Sequence, residues 1–113
     1  MHEISLCESI LRVVEEHAAK QNYQKVTAVW LEVGALAGVE VEALQFGFDV
    51  VMKKSIAEDA RLEIINVPGQ AMCLQCMKNV KISQRFDACP VCGAYQLQVN
   101  AGDVLRVKEL EVE

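Results

Sequence analysis

Apolar residues recur along the first twenty positions with the period of an α-helix. From Ile4 to about Lys20, the apolar or small residues at positions 4, 7, 11, 14 and 18 form one stripe, which predicts an amphipathic helix packed against a core. Ser5 and Glu8 match a capping box, a motif typical of a helix start. The helix could therefore begin at Ser5 and leave residues 1–4 outside it.

After the first helix, the chain contains three segments in which apolar and polar residues alternate and one further helical stripe of apolar residues. The segments KVTAVWLEVG, ARLEIINV and DVLRVKELEVE are rich in β-branched and alternating apolar residues, which predicts three strands. Between the first two, a second helix is predicted by apolar residues that recur on one face, namely Val41, Leu44, Phe48 and Val51. Alternation slips near Lys108 in the last segment, which indicates a β-bulge or a change of burial there.

Composition and charge narrow the class of protein. The 113 residues are 52% hydrophobic and 24% charged, which suits one folded domain with a small module rather than a disordered chain. A net charge of -5 argues against binding to the phosphates of nucleic acid. No apolar run approaches the ~20 residues of a membrane span, and the pattern of a secretion signal is missing. We therefore expect a cytoplasmic protein with no nucleic-acid or membrane partner.

Four of the five cysteines form two C-x-x-C pairs, Cys73 with Cys76 and Cys89 with Cys92. Two residues between thiolates let a tight turn direct both sulfurs at one ion, so the pairs predict a tetrahedral zinc site. A redox dithiol is the alternative, but that motif normally begins a helix, and no helical pattern follows either pair. Because four thiolates leave no open coordination position, the predicted zinc is structural.

The two cysteine turns differ at the residue that follows the second cysteine. Gly93 follows Cys92 and can adopt the positive φ that such a turn often needs, and Pro90 stiffens the same turn. Met77 occupies the equivalent place after Cys76, so the first turn is less typical.

The combined pattern predicts an α/β (α+β) fold of two helices packed on a three-stranded sheet, with a small zinc-ribbon-like module inserted before the last strand. Pro68 and Gly69 mark one end of the insertion, and residues 100–102 mark the other. We therefore predict one α/β domain formed by residues 1–68 and 100–113, and a zinc-binding module of residues 69–99.

Groups suited to catalysis are scarce in the sequence. It contains no glycine-rich phosphate loop, no H-E-x-x-H motif and no serine in a nucleophile elbow. The two histidines, His2 and His17, leave little for general-base chemistry, so we do not expect an enzyme. We interpret His17 as a partly exposed helix residue rather than an auxiliary ligand or a pH sensor. We interpret Cys7 as a small buried hydrophobe rather than a reactive thiol.

The opening tripeptide Met-His-Glu offers a different kind of metal site. The α-amino group of Met1 and the amide and imidazole nitrogens of His2 can form fused chelate rings around one ion, which a neighbouring carboxylate or amide can complete. Planar nitrogen and oxygen ligands favour Ni(II) or Cu(II). The alternative is that His2 is only a polar residue near a helix start.

A chain that opens MHEISL, continues with VTAVWLEVGAL and then carries CLQC and CPVC resembles the HypA/HybF family of hydrogenase maturation nickel metallochaperones over its whole length. The resemblance implies nickel binding at Met1, His2 and Glu3. It also implies a structural zinc on the four paired cysteines, which are Cys73, Cys76, Cys89 and Cys92.

The same resemblance implies partners. They are a HypB-type nickel GTPase and the precursor of a nickel-iron hydrogenase large subunit, with urease maturation in some relatives. We therefore predict a cytoplasmic, non-enzymatic nickel carrier, either a monomer or a homodimer. The alternative, from another class, is a zinc-ribbon adaptor that binds other proteins and delivers no nickel.

Overall fold

The computed structural model describes residues 2–113 and contains two helices and six strands in that range. The helices are α1 (His2–Gln21) and α2 (Val41–Val51). The strands are β1 (Val26–Gly34), β2 (Arg61–Val67), β3 (Gly69–Cys73), β4 (Asn79–Ile82), β5 (Leu97–Ala101) and β6 (Leu105–Val112). Both predicted helices and all three predicted strands are present, whereas β3, β4 and β5 are strands that the sequence pattern does not predict.

The six strands form two three-stranded sheets. The first sheet has the order β2-β1-β6, and the second has the order β4-β3-β5. In the second sheet, β3 pairs antiparallel with both neighbours, from Gly69 opposite Ile82 on one side to Cys73 opposite Leu97 on the other. Two helices, a three-stranded sheet and a separate small module with its own sheet confirm the predicted fold class.

The chain divides into two compact units. The first consists of Met1–Leu31, Val39–Ile64 and Val107–Glu113, and the second of Glu32–Gly38 and Ile65–Arg106. The second unit contains all four paired cysteines. The assignment of nickel to residues 1–68 and 100–113, and of zinc to residues 69–99, remains a prediction.

Helix α1 begins at His2, so the alternative start at Ser5 is wrong. Two contacts in the first unit explain the additional residues. The carboxylate of Glu3 accepts a hydrogen bond from the amide of Glu40, at 3.3 Å, where α2 begins. The side chain of Ile4 lies against Gly47 of α2, so closely that a Cβ at Gly47 would be 2.9 Å from Ile4 Cδ1. Both contacts stabilise a turn of helix that the capping motif alone would place outside α1.

Cys7 lies in the core between the two helices. Its side chain is fully buried beside Ile10 and Val14 of the same helix, and its thiol donates to the carbonyl of Leu44, at 3.4 Å. Burial, and secondarily the charge of Glu3, raises the pKa of the thiol to about 11. The thiol therefore stays protonated at neutral pH, and the prediction of a buried small hydrophobe is confirmed.

The predicted break in strand β6 is present as a change of burial. Val107 and Leu110 are half-buried, whereas Lys108 and Glu109 between them are both exposed. Strict alternation would have buried one of those two charged residues. The break therefore keeps both charges in water and both apolar side chains on the covered face.

Candidate metal sites

The fold of the second unit brings the four paired cysteines together. Their Sγ atoms all lie within 4.8 Å of one another. The separations of opposite pairs are 3.6 Å between Cys73 and Cys92 and 3.8 Å between Cys76 and Cys89. A regular tetrahedron with metal–sulfur bonds of about 2.3 Å has edges of about 3.8 Å. The four sulfurs therefore fit a tetrahedral metal ion.

The two cysteine turns have the same backbone geometry. In each, the amide four residues after the first cysteine donates to the carbonyl of that cysteine. Met77 donates to Cys73 and Gly93 donates to Cys89, both at 2.8 Å. The amide of each first cysteine in turn donates to the carbonyl five residues later, with distances of 2.9 Å and 2.7 Å. The cluster is thus built from two equivalent turns, one from each C-x-x-C pair.

Amide hydrogen bonds favour the thiolate form of the first cysteine in each turn. The amide of Cys76 is 3.5 Å from the Sγ of Cys73, and that of Val91 is 3.4 Å from the Sγ of Cys89. Backbone hydrogen bonding, first from Cys92, lowers the pKa of Cys89 to about 6, and the amide of Cys76 likewise lowers the pKa of Cys73. The backbone therefore favours the thiolate form of these two sulfurs, which is the form that binds metals.

The second cysteine of the first turn behaves differently. Burial, followed by hydrogen bonding with the neighbouring thiols, raises the pKa of Cys76 to about 12. Four adjacent sulfurs cannot all be ionised without a compensating charge, and a bound dication supplies that charge and deprotonates its ligands. The electrostatics of the cluster therefore favour a divalent cation.

Both turns use a left-handed residue, as predicted for the second. Gly93 has φ of +78°, and Met77 has φ of +58° with an exposed side chain. In the left-handed region of φ, a residue with a side chain is destabilised by about 1 kcal/mol, whereas glycine is not. The first turn therefore carries backbone strain that the second avoids.

Substitution at these two positions is expected to have unequal effects. A Cβ at Gly93 would meet nothing within 4 Å, so Gly93→Ala should cost about 1 kcal/mol through its backbone alone. Met77→Gly should be close to neutral, because relief of strain offsets the extra freedom of the unfolded chain. Chemical denaturation of the metal-loaded protein measures both. A loss of more than about 3 kcal/mol in Gly93→Ala would mean that the methyl group meets an obstacle.

The tetracysteine cluster packs on a small apolar core that includes a residue the sequence analysis missed. Leu36 lies in the turn after β1 and is only 4% exposed. It packs in one cluster with Ala71, Cys73, Val80, Ile82 and Cys89. Its amide donates to the carbonyl of Gly102, at 2.7 Å, and its carbonyl accepts from Nε of Arg85, at 3.2 Å. The only sequence signal for this role was an apolar residue between two small ones in a turn.

The amino-terminal residues bring a histidine and a glutamate side chain close together. His2 is exposed, and its Nδ1 lies 3.4 Å from Oε2 of Glu3. The amide of Glu40 donates to the same carboxylate and is the main reason that the pKa of Glu3 is lowered. Met1 lies outside the described residues. The structure thus places an imidazole and an ionised carboxylate side by side at the start of α1.

His17 belongs to neither of these two groups of side chains. It is exposed on α1, as predicted, with Nδ1 3.5 Å from the hydroxyl of Tyr23. That hydroxyl donates to the carbonyl of Val14, at 3.0 Å. Within residues 2–113, the tetracysteine cluster is the group of three or more metal-binding side chains close enough to share one ion. His17 is therefore not an auxiliary ligand of that cluster.

Comparison with known proteins gives consistent results over the whole chain. Residues 1–112 match the protein family described as "Hydrogenase/urease nickel incorporation, metallochaperone, hypA". The chain is 59% identical to a hydrogenase maturation factor HypA of Azotobacter chroococcum and 58% identical to one of Alkalilimnicola ehrlichii. Both alignments extend over 113 residues and cover 100% of each chain.

Two solved structures share the fold. The solution structure of the Ni metallochaperone HypA from Helicobacter pylori is similar with a TM-score of 0.72 and 23% identity, covering 97% of this chain and 96% of that one. A second solution structure, of a HypA protein, gives a TM-score of 0.73 at 24% identity, covering 100% of this chain and 97% of that one.

In the described part of the chain, neither helix is long and apolar enough to cross a membrane.

Proposed function

This chain belongs to the HypA family of metallochaperones for nickel incorporation into hydrogenase and urease, and from that premise we propose that it is a nickel carrier for hydrogenase maturation. In this proposal, Met1, His2 and Glu3 bind Ni(II). The four paired cysteines hold a structural Zn(II). The pairing of the exposed His2 imidazole with the Glu3 carboxylate at the start of α1 is the observation that carries the nickel assignment.

The zinc assignment rests on the chemistry of the ligands. Four thiolates at tetrahedral separations suit Zn(II). Ni(II) is instead favoured by planar nitrogen and oxygen ligands. A shell closed by four cysteines leaves no position for a substrate or an exchanging ligand. This ion therefore stabilises the second unit and is not the ion that the protein delivers.

The position of the nickel ligands on α1 suits a carrier. The first four amides of a helix have no acceptor within it, so the amide of His2 is available for coordination. The same end of the helix carries positive partial charge, which opposes a cation by about 0.3–1 kcal/mol. Glu3 offsets that charge. An exposed site with these opposing effects holds Ni(II) weakly enough to release it, and protons compete with the ion, so affinity should fall as the pH falls.

We further propose that the carrier acts in the cytoplasm with a HypB-type nickel GTPase and a hydrogenase large-subunit precursor. Surface composition supports a protein partner at the second unit. Residues 74–95 expose five large apolar side chains, which are Leu74, Met77, Phe86, Val91 and Tyr95. Several large apolar side chains exposed in one short segment are consistent with an interaction surface. The same observation favours the second candidate, an adaptor that uses its zinc unit to bind proteins without carrying nickel.

Nickel titration by calorimetry separates the two candidates. The zinc-loaded native chain is compared with a form that has a short Gly-Ser extension before Met1, which keeps every side chain and removes only the chelating amine. We expect one Ni(II) to bind the native chain and binding to be lost in the extended chain. His2→Ala should also lose it, whereas the matched control His17→Ala should bind normally. Equal binding by all four proteins would refute the terminal site, and absence of binding by the native chain would favour the adaptor.

A further inference from the structure

The four paired cysteines differ in their access to solvent. Cys73 is fully buried and Cys89 is only 3% exposed, whereas Cys76 is half-buried and Cys92 is exposed. A thiolate reacts with a dissolved oxidant only where the oxidant can reach its sulfur. Cys92 is therefore the member of the cluster that a small oxidant such as a peroxide meets first.

The exposure of Cys92 follows from the residue beside it. Gly93 comes next, and a Cβ at that position would meet nothing within 4 Å, so this side of the turn is open. In the first turn, Met77 occupies the equivalent place, and Cys76 packs against the apolar core of the second unit. The two turns share one backbone geometry, but Cys92 is more open to solvent than Cys76.

A second thiol lies close to Cys92. Its Sγ is 3.6 Å from the Sγ of Cys73, which belongs to the other turn. A disulfide bond is about 2.05 Å long, so these two sulfurs need to approach each other by about 1.5 Å to form one. Cys76 and Cys89 make the other pair between the two turns, at 3.8 Å. Of these two pairs, the one with Cys73 contains the exposed sulfur.

We propose that Cys92 is the site at which hydrogen peroxide oxidises the cluster, and that Cys73 then converts the oxidised sulfur into a disulfide. The Cys92 sulfur attacks one peroxide oxygen, so an S–O bond forms, the O–O bond breaks and the second oxygen leaves as water after it takes up a proton. The Cys73 sulfur displaces the remaining hydroxyl, which also takes up a proton and leaves as water. The two sulfurs together lose two electrons, and the peroxide gains them.

This reaction removes two of the four ligands from the proposed zinc site. Cys76 and Cys89 alone do not complete a tetrahedral shell, so the ion is released. A thiol reductant exchanges with the disulfide and restores both ligands, which makes the change reversible. The inference rests on the structural zinc proposed above and is independent of nickel binding.

Peptide mapping shows which sulfurs pair. The zinc-loaded native chain is treated with equimolar hydrogen peroxide, free thiols are alkylated, and the chain is cleaved with trypsin. Trypsin places the first C-x-x-C pair in the peptide of residues 62–78 and the second pair in that of residues 86–106. We expect the first product to be these two peptides joined by a bond between Cys73 and Cys92. A first disulfide within either C-x-x-C pair leaves the peptides separate and would overturn the proposal.

Release of zinc to a chromogenic chelator measures the role of the exposed sulfur. Cys92→His keeps a closed shell, now of three thiolates and one imidazole, and removes the thiol that peroxide reaches first. Peroxide should release zinc from this variant at least about tenfold more slowly than from the native chain. Cys76→His is the matched control at the equivalent position of the first turn. It keeps Cys73 and Cys92, so its rate should stay within about threefold of the native rate.

The outcomes separate this inference from the zinc assignment. A native chain that holds no zinc under reducing conditions would refute the structural zinc, and the mapped disulfide would still test the pairing of Cys73 with Cys92. Equal rates of release from the native chain and Cys92→His, when both hold zinc, would refute this inference alone. If Cys92→His itself binds no zinc, the mapping of the native chain decides.

Discussion

Replacement of Cys73 by serine is expected to remove the metal from the tetracysteine cluster and to unfold the second unit around it. Serine does not supply the thiolate that the proposed Zn(II) requires, and three remaining sulfurs leave the ion open to loss. Structural zinc contributes about 10–16 kcal/mol in small zinc-dependent folds. The upper end of that range is larger than the whole free energy of unfolding of an average domain, which is about 5–15 kcal/mol. The small apolar core of the second unit is not expected to supply a comparable free energy of folding without the metal.

Elemental analysis and amide NMR measure the two consequences. We expect zinc to fall from one per native chain to near zero, and the amide signals of β3, β4 and β5 to collapse to unfolded positions. Cys7→Ala is the matched control, because it removes the thiol that lies in the first unit and donates to Leu44. It should retain one zinc and lose only about 1–2 kcal/mol of stability. A serine variant that keeps its zinc and its dispersed spectrum would contradict the assignment of Cys73 as a structural ligand.

Local sequence patterns were sufficient to predict the helices and strands that bury one face. The helical stripe of α1, the alternation in β1 and the slip at Lys108 all follow from residues that must be covered or left in water, and the structure has each of them. The start of α1 was not predictable in the same way. It depends on Glu3 and Ile4 contacting α2, which lies some forty residues away in the sequence. A capping motif reports local preference, and long-range contacts can extend a helix beyond it.

The cysteine cluster was easier to predict than the side chains that support it. The spacing of the two C-x-x-C pairs predicts four convergent sulfurs before any fold is known, and the structure brings the four Sγ atoms within 4.8 Å of one another. Strands β3, β4 and β5 are short and carry polar residues such as Gln70 and Asn79, so their alternation is weak. Leu36 was missed because burial of a turn residue depends on which distant segment covers it.

Leu36→Ala is expected to cost about 2–5 kcal/mol of stability in the second unit, although Leu36 contacts no metal in the proposed site. Its side chain is 4% exposed and fills the core on which Cys73 and Cys89 rest. Removing three carbons from such a position loses transfer free energy and leaves a cavity. Nothing in the backbone changes, so the loss should be one of packing.

Because folding and metal binding are coupled, the same loss should appear in zinc affinity. A cost of 2 kcal/mol corresponds to about a 30-fold weaker complex, and larger costs weaken it further. Competition with a chromogenic chelator measures the change. Leu74→Ala is the matched control, since Leu74 lies within the first cysteine turn itself but is 54% exposed, and it should change the affinity less than about threefold. If the Leu74 variant weakened zinc binding more than the Leu36 variant, the turn would matter more than the core beneath it. The expected order is the reverse, because a thiolate cluster keeps its geometry only while its supporting side chains remain packed.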